Sequence, residues 1–312
     1  MALQFIERNE IKDALSAKGF SEIDGDTILK CLAAVHKRSI KKDDVVGLRK
    51  LTKAEMEALV KKTKSALLKT VDLLSTEFKI YSWDFLPYEA IAIVVCYIYS
   101  HQKALNAAQI GRVRQWFWRS SFDERYRGAS EHFISKDLEA IHKFVIEGIG
   151  KADDFGSKPN PDIWGSVVFR SNNSRSRAFV LALALGGPRN ITNGVAIDPA
   201  EALSIFNQKQ FHHVYPRAHL KKIKAPGNHN SMANICILAA SENRLISDAD
   251  PHLYLPKCVT DLGSQATAVF ASSLLPDPAS FPYAKASFED FSAARTTLIA
   301  SRVERLCNGD AP

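Results

Sequence analysis

The chain has 312 residues, is 46% hydrophobic, and carries a formal charge of +7. That is enough chain for two ordinary domains with real cores, and a mild basic excess suits a polyanionic partner. The longest apolar stretch, Ala90 to Tyr99, is far too short to span a bilayer, no secretory leader is present, and the five scattered cysteines lack the spacing of a zinc ribbon or a disulfide framework. A membrane protein and a disulfide scaffold are therefore excluded, and the expected compartment is a reducing cytoplasm in which the cysteines behave as small apolar residues.

In chain order, the first half reads as helical. Leu3 to Gly19 and Asp26 to His36 carry apolar residues at helical spacing. Thr52-Lys53-Ala54-Glu55 is a capping box that opens a long amphipathic run through Leu59, Leu67, Leu68, Val71 and Leu74, with Lys61, Lys62, Lys64 and Lys69 read as a solvated face. Pro87 is expected in the first turn of the next helix, Tyr88 to Ser100, which is apolar nearly all round and so buried. Gly111 to Ser121 carries Trp116, Phe117 and Trp118, read chiefly as core, and Ser135 is expected to cap Lys136 to Glu147.

Gly148 to Pro161 cannot sustain a regular element, which places a boundary between a helical domain, 1–156, and a second domain, 157–312. Arg175 to Leu185 is another apolar helix, stopped by Gly186-Gly187-Pro188. A short helix over Pro199 to Phe206 leads to a strand, Phe211 to Tyr215. A polar basic loop, a second strand from Asn234 to Leu238, and a helix starting near Ser241 follow. The fold class is mainly α with a small ββα module, hence α+β.

The chemistry concentrates in that module. Phe211-His212-His213-Val214-Tyr215-Pro216 is followed by Asn234 and, nine positions later, Asn243. Hydrolysis of a phosphodiester needs a base for water, a cation on the phosphate and leaving oxygen, and something to hold both in register. A neutral imidazole near working pH suits His213 as the base. Imidazole nitrogen and amide oxygen make His212 and Asn243 the candidate ligands of a divalent ion, Mg²⁺ or Mn²⁺. Asn234 is the orienter, its amide bonding backbone across the hairpin. Adjacent strand residues face opposite ways, so the two histidines share a site only where the strand ends or twists. Arg217, Lys221, Lys222, Lys224 and Arg244 surround the motif and suit phosphate contact; Arg175, Arg177 and Arg189 extend that surface, and His219 and His229 lie nearby. His252 reads as a helix-end or loop residue.

His212, His213, Pro216, Asn234 and Asn243 together resemble the motif of the HNH endonucleases, the ββα-metal superfamily. The resemblance implies a metal-dependent DNA endonuclease, a nickase because one such site cuts one strand. Leu86-Pro87-Tyr88-Glu89, Arg114 to Phe122 with its Trp-Phe-Trp centre, and Arg125-Tyr126 resemble a second pattern. Ser174 to Phe179 and Gly187-Pro188-Arg189-Asn190 belong to it as well. This is the helical part and nuclease run-up of two-part defence nucleases of the GmrSD and SspE type, over roughly residues 25 to 260. That family implies restriction or anti-phage defence and a ParB-like, nucleotide-hydrolysing sensor domain. The sensor's Asp-Gly-Gln-Gln-Arg-like motif is absent, which implies either a C-terminal fragment or a sensor supplied by a separate chain. The alternative functions are a non-catalytic DNA-binding or assembly module with a nuclease-like fold, and a helical partner-binding protein with a chance motif.

Overall fold

The structure is a computed structural model describing residues 2–203 and 211–311, with the side chains of 2–8, 240 and 243 outside the described part. It is mainly helical, with one two-stranded antiparallel sheet among the described residues. The chain divides into two compact units, one of Met1–Lys158 with Cys307–Ala311, the other of Pro159–Leu306. The closing residues count with the first unit: Arg119 Nε donates to Cys307 O at 3.1 Å and Gln115 Nε2 to Asn308 O at 2.8 Å.

The first unit holds seven α-helices among its described residues: α1 (Ala2–Ser16), α2 (Gly25–Lys37), α3 (Lys42–Gly47), α4 (Lys53–Phe78), α5 (Glu89–His101), α6 (Ala107–Phe122) and α7 (Ser130–Ile141). Thr52 and Glu55 form the capping box of α4. Helix α5 is buried without a break from Ala90 to Ile98 and packs against α2, α4 and α7. Each of its isoleucines and valines contributes about 1.5–3 kcal/mol on leaving water. Pro87 precedes this helix rather than sitting in its first turn. Helix α6 starts four residues before the expected Gly111, because Asn106 and Gln109 form a second capping box. The expected cap Ser135 is interior to α7; the start is set farther back, after Gly128 (φ +82°), and the chain continues from Ile141 into a wider π-type turn, His142–Glu147.

Trp116, Phe117 and Trp118 are all buried in this unit although neighbours two apart leave a helix on different sides. Each side has its own partner. Phe117 stacks on Phe78 with centroids 3.8 Å apart, and Trp118 stacks on Phe122. Trp116 Nε1 donates to Tyr126 OH and to Asp137 Oδ2. Asp137, fully buried, is held by the Arg125 fork and by the Tyr126 hydroxyl. The aromatic run is core, and neither tryptophan offers a face for a nucleic-acid base.

The second unit contains α8 (Ser174–Ala184), α9 (Pro199–Ala202), β1 (Phe211–His213), α10 (Arg217–Lys222), β2 (Ile235–Ile237), α11 (Ala240–Ile246), α12 (Pro251–Leu262), α13 (Ala266–Ser272) and α14 (Phe288–Cys307, of which Cys307 counts with the first unit). Asn173 caps α8, which is buried from Ala178 to Ala184. Gly187 (φ +62°) ends it, and a Cβ at Gly186 would lie 2.8 Å from Ser272 O, so this turn admits only glycine without a shift. The expected continuation of α9 to Phe206 lies outside the described residues. The expected basic loop is in its first part a helix, α10: Pro216 presets the entry dihedral and Leu220 anchors the turn in the core.

β1 and β2 pair antiparallel with Phe211 opposite Ile237, His212 opposite Cys236 and His213 opposite Ile235. The strands are shorter than the sequence suggests, three residues each. Cys236 and Leu238 join the core formed with Val214, Tyr215, Leu220, Ile246, Leu255 and Phe270. Ile235 and Ile237, on the other face of β2, are buried as well, and α8 packs against that strand.

Helix α14 reaches this hairpin through Arg295. Phe291, Arg295, Ile299 and Val303 lie on one stripe of the helix and all are buried. The Arg295 guanidinium donates to Ala233 O (2.9 Å), Ile235 O (2.5 Å), Ser273 O (3.1 Å) and Leu274 O (3.2 Å). Burial lowers its pKa to about 10 from the ordinary 12.5. Arg295→Met leaves those buried acceptors unmet, each costing about 1–3 kcal/mol. We expect Arg295→Met to lower the unfolding free energy by about 3 kcal/mol or more, and Arg295→Lys to recover only part of this. Urea denaturation followed by near-ultraviolet circular dichroism measures it; an unchanged midpoint for Arg295→Met would remove the clamp from the account of this fold.

Candidate functional site

Asn234 sits at the foot of β2, fully buried, with every polar atom of its amide used. Its Oδ1 accepts from Tyr215 N at 2.8 Å, and its Nδ2 donates to Tyr215 O and His229 O, both at 2.9 Å. Val214 N adds a bond to Asn234 O at 2.9 Å. One side chain therefore ties the residues just past β1 to the loop before β2. The Tyr254 hydroxyl, from α12, donates to Val214 O and fixes the same corner.

His213 ends β1 and is half-buried. Its Nε2 lies 2.8 Å from Asn230 Oδ1, and its Nδ1 makes no hydrogen bond among the described residues. Burial, and to a lesser degree the charge of Arg217, lowers the His213 pKa below the ordinary 6.5, with the Asn230 bond opposing them. The imidazole is thus biased to its neutral form, the form able to accept a proton.

His212 points to the opposite face, as strand alternation requires, and is 6% exposed opposite Cys236. Burial pushes the Cys236 thiol up to about 12, so it stays protonated beside that imidazole at neutral pH. No described contact joins the two histidine rings. Asn243 has its backbone in α11, which starts three residues after β2 ends, but its side chain lies outside the described residues. Among the described residues there is no group of three or more His, Cys, Asp or Glu arranged to hold an ion. The donors that the sequence assigns to the metal are one imidazole and one amide oxygen; the imidazole lies buried on the face of β1 opposite His213, so the described residues do not bring it to the face that His213 occupies.

Glu242, one position before Asn243, reads from the sequence only as part of the polar turn that opens the helix. It is 9% exposed and accepts from the Thr192 hydroxyl and, at 3.1 Å, from Asn193 Nδ2. Asn190 Oδ1 accepts from Ala239 N at 3.0 Å. The turn 190–193 therefore positions both ends of the link from β2 into α11. A carboxylate inside an otherwise polar helix start gave no sequence signal of burial.

The cations divide. Arg217, Lys221, Lys222 and Lys224 are exposed on and just after α10 and pair with no carboxylate among the described residues. Arg244 is exposed on α11. Arg189 is committed to the fold: its Nε donates to Gly194 O at 2.6 Å and its Nη2 to Gln265 Oε1 at 3.2 Å. Arg175 and Arg177 are half-buried in the first turn of α8. The remaining nearby histidines are structural. His229 bonds Ala225 O at 2.7 Å, His252 bonds Ala286 O at 3.0 Å from the first turn of α12, and His219 lies 3.8 Å from Asp250. His219 and His252 line a cavity of about 360 Å³ with Tyr215, Lys224, Lys285 and Phe288.

No model of a known protein family matches the chain, and no curated protein matches it. Among the described residues, no helix is long and apolar enough to cross a membrane.

Asn234→Ala strips partners from Tyr215 N, Tyr215 O and His229 O at once. We expect a loss of about 2–4 kcal/mol, and faster hydrogen exchange at the Tyr215 amide than at amides of α8. Asn234→Asp keeps the acceptor, loses both donors and should fall between. Equal protection of Tyr215 in the wild type and Asn234→Ala would mean that the corner is held by β pairing alone.

Proposed function

We propose that the chain is a metal-dependent DNA endonuclease of the ββα-metal type, acting by hydrolysis of a phosphodiester and nicking one strand. The observation that supports this best is the handling of His213. The residue stands at the end of a hairpin whose corner is pinned by Asn234, its ring is biased neutral, and one ring nitrogen is engaged while the other has no described partner. That is what a general base needs: a fixed ring, an open nitrogen, and a proton affinity that leaves it unprotonated before reaction. His213 takes the proton from water; Asn234 keeps the residue in place without touching the reacting atoms.

His212 and Asn243 would hold a divalent ion, Mg²⁺ or Mn²⁺, whose charge would stabilise the phosphate and the leaving oxygen, and this requires the end of β1 to twist His212 toward the face of His213. The exposed cations of α10 and Arg244 provide a surface for the DNA backbone, and a basic helix beside a hairpin suits contacts that position without reading sequence. On this reading the chain serves restriction or anti-phage defence in the cytoplasm, with a ParB-like sensor as the partner that selects the DNA.

His213→Ala should cut nicking of supercoiled plasmid by about 10²–10⁴-fold in Mg²⁺ or Mn²⁺ while leaving DNA affinity nearly unchanged. His212→Ala should shift activity to higher ion concentration, and EDTA should abolish it. A variant lacking His213 that nicks at more than about half the original rate contradicts the role of a general base. A wild-type chain that binds DNA but never nicks it is a binding module instead.

For the surface, neutralising Arg217, Lys221 and Lys222 together should weaken binding to all duplex sequences alike. The slope of log affinity against log salt should flatten by roughly 0.9 per lost contact. An unchanged slope would move the DNA off α10.

A further inference from the structure

The ring of His213 is held by a side chain outside the histidine–asparagine motif. Asn230 Oδ1 lies 2.8 Å from His213 Nε2, and an amide oxygen only accepts, so that nitrogen carries the ring proton. The amide is itself fixed. Its Nδ2 donates to Phe169 O at 2.9 Å, and turning it over would set oxygen against that carbonyl oxygen. Its backbone is fixed as well. Phe169 N donates to Asn230 O at 2.8 Å, and Asn230 N donates to Asn228 Oδ1 at 3.0 Å. Asn228 Nδ2 in turn donates to Ser166 O at 2.8 Å, and Met232 N to Val167 O at 3.0 Å. Val168 and Ser231 form an antiparallel bridge inside this clasp. Two loop segments, 166–169 and 228–232, thus meet in a short ladder, and the side chain it presents is the one on His213.

We propose that Asn230 is the positioning residue of His213: it keeps the ring proton on Nε2 and leaves Nδ1 as the nitrogen that receives a proton. The proposal rests on the reading of His213 as the general base. Asn230 touches neither water nor phosphate in this role. It acts through the imidazole, by removing the ring flip, which would put Cδ2–H where a lone pair is needed, and the alternative tautomer, which would put Nδ1–H there.

The test uses the full chain, with histidine labelled with ¹⁵N and spectra recorded at about pH 8, above the usual imidazole range. His213→Gln identifies the ring signals. The wild type should show His213 protonated on Nε2, with a slowly exchanging ring N–H proton. Asn230→Asp retains an acceptor at the same place and should keep that signal. Asn230→Leu, of similar volume, should lose it and populate both tautomers. In plasmid nicking, Asn230→Leu should lower kcat by about 10–100-fold, as loss of a partner that orients a catalytic ring does, with KM for DNA little changed. Asn230→Asp should recover part of that loss.

A wild-type ring protonated on Nδ1, or averaged between tautomers, overturns the proposal, and this holds even if Asn230→Leu fails to fold. So does an Asn230→Leu variant that folds, keeps the Nε2 proton and nicks at the wild-type rate. A wild-type chain that never nicks refutes the nuclease reading, and with it a positioning role in catalysis, whereas a nicking chain with the wrong tautomer refutes Asn230 alone.

Discussion

The second unit depends on one buried cation held by main-chain oxygens. Arg295 has no buried carboxylate among its described partners; four carbonyls solvate it instead. A guanidinium tolerates this because its charge is delocalised and its planar fork spreads several donors in fixed directions, which an ammonium does not. Two of the four oxygens belong to Ala233 and Ile235, the residues on either side of Asn234. The clamp therefore sets the backbone from which Asn234 reaches across to Tyr215. Tyr215 lies two residues past His213, so the chain of constraint runs from α14 through β2 to the end of β1. A large desolvation cost is accepted where its return is geometric, at the one turn where a small error would swing the imidazole.

Much of the first unit was legible because its signals are local. A capping box at Thr52 and an unbroken apolar run over α5 follow from nearest-neighbour chemistry. The Trp-Phe-Trp segment was legible as core but not in its arrangement, since its partners Phe78, Tyr126 and Asp137 come from three other segments. In the second unit the hairpin order could be read, and the backbone bonding of Asn234 has the form expected of an orienting amide. Helix α10 was missed because six residues with a single apolar anchor carry no measurable period. Asn230 was missed because it is one polar loop residue among several. Arg295 left a trace that went unread, a charge at the centre of the stripe Phe291, Ile299, Val303, where a cation must have been given buried acceptors.

The histidines show how little residue type says without its neighbours. His229 and His252 each use a ring nitrogen on a main-chain carbonyl, which serves the fold and leaves the ring no separate task. His142, in the first unit, pairs with the Tyr97 hydroxyl; burial first, then Arg38 and His101, lower its pKa. His213 shares the lowered pKa, and its cause is again chiefly burial, so a shifted proton affinity alone does not distinguish it. What does distinguish it is the company of a neutral amide, whose own orientation is enforced, at the mouth of a hairpin beside exposed cations.

The position of Arg295 so late in the chain also affects the order in which the molecule becomes itself. All residues of the histidine–asparagine motif have been synthesised by Asn243, yet the guanidinium that fixes Ala233 and Ile235 follows roughly 50 positions later, a delay of a few seconds at about 5–20 residues per second. Until then the four main-chain oxygens that meet the guanidinium in the folded unit lack that partner. The contacts of Arg295 with Ala233 O and Ile235 O are thus made by a residue synthesised after every residue that they hold.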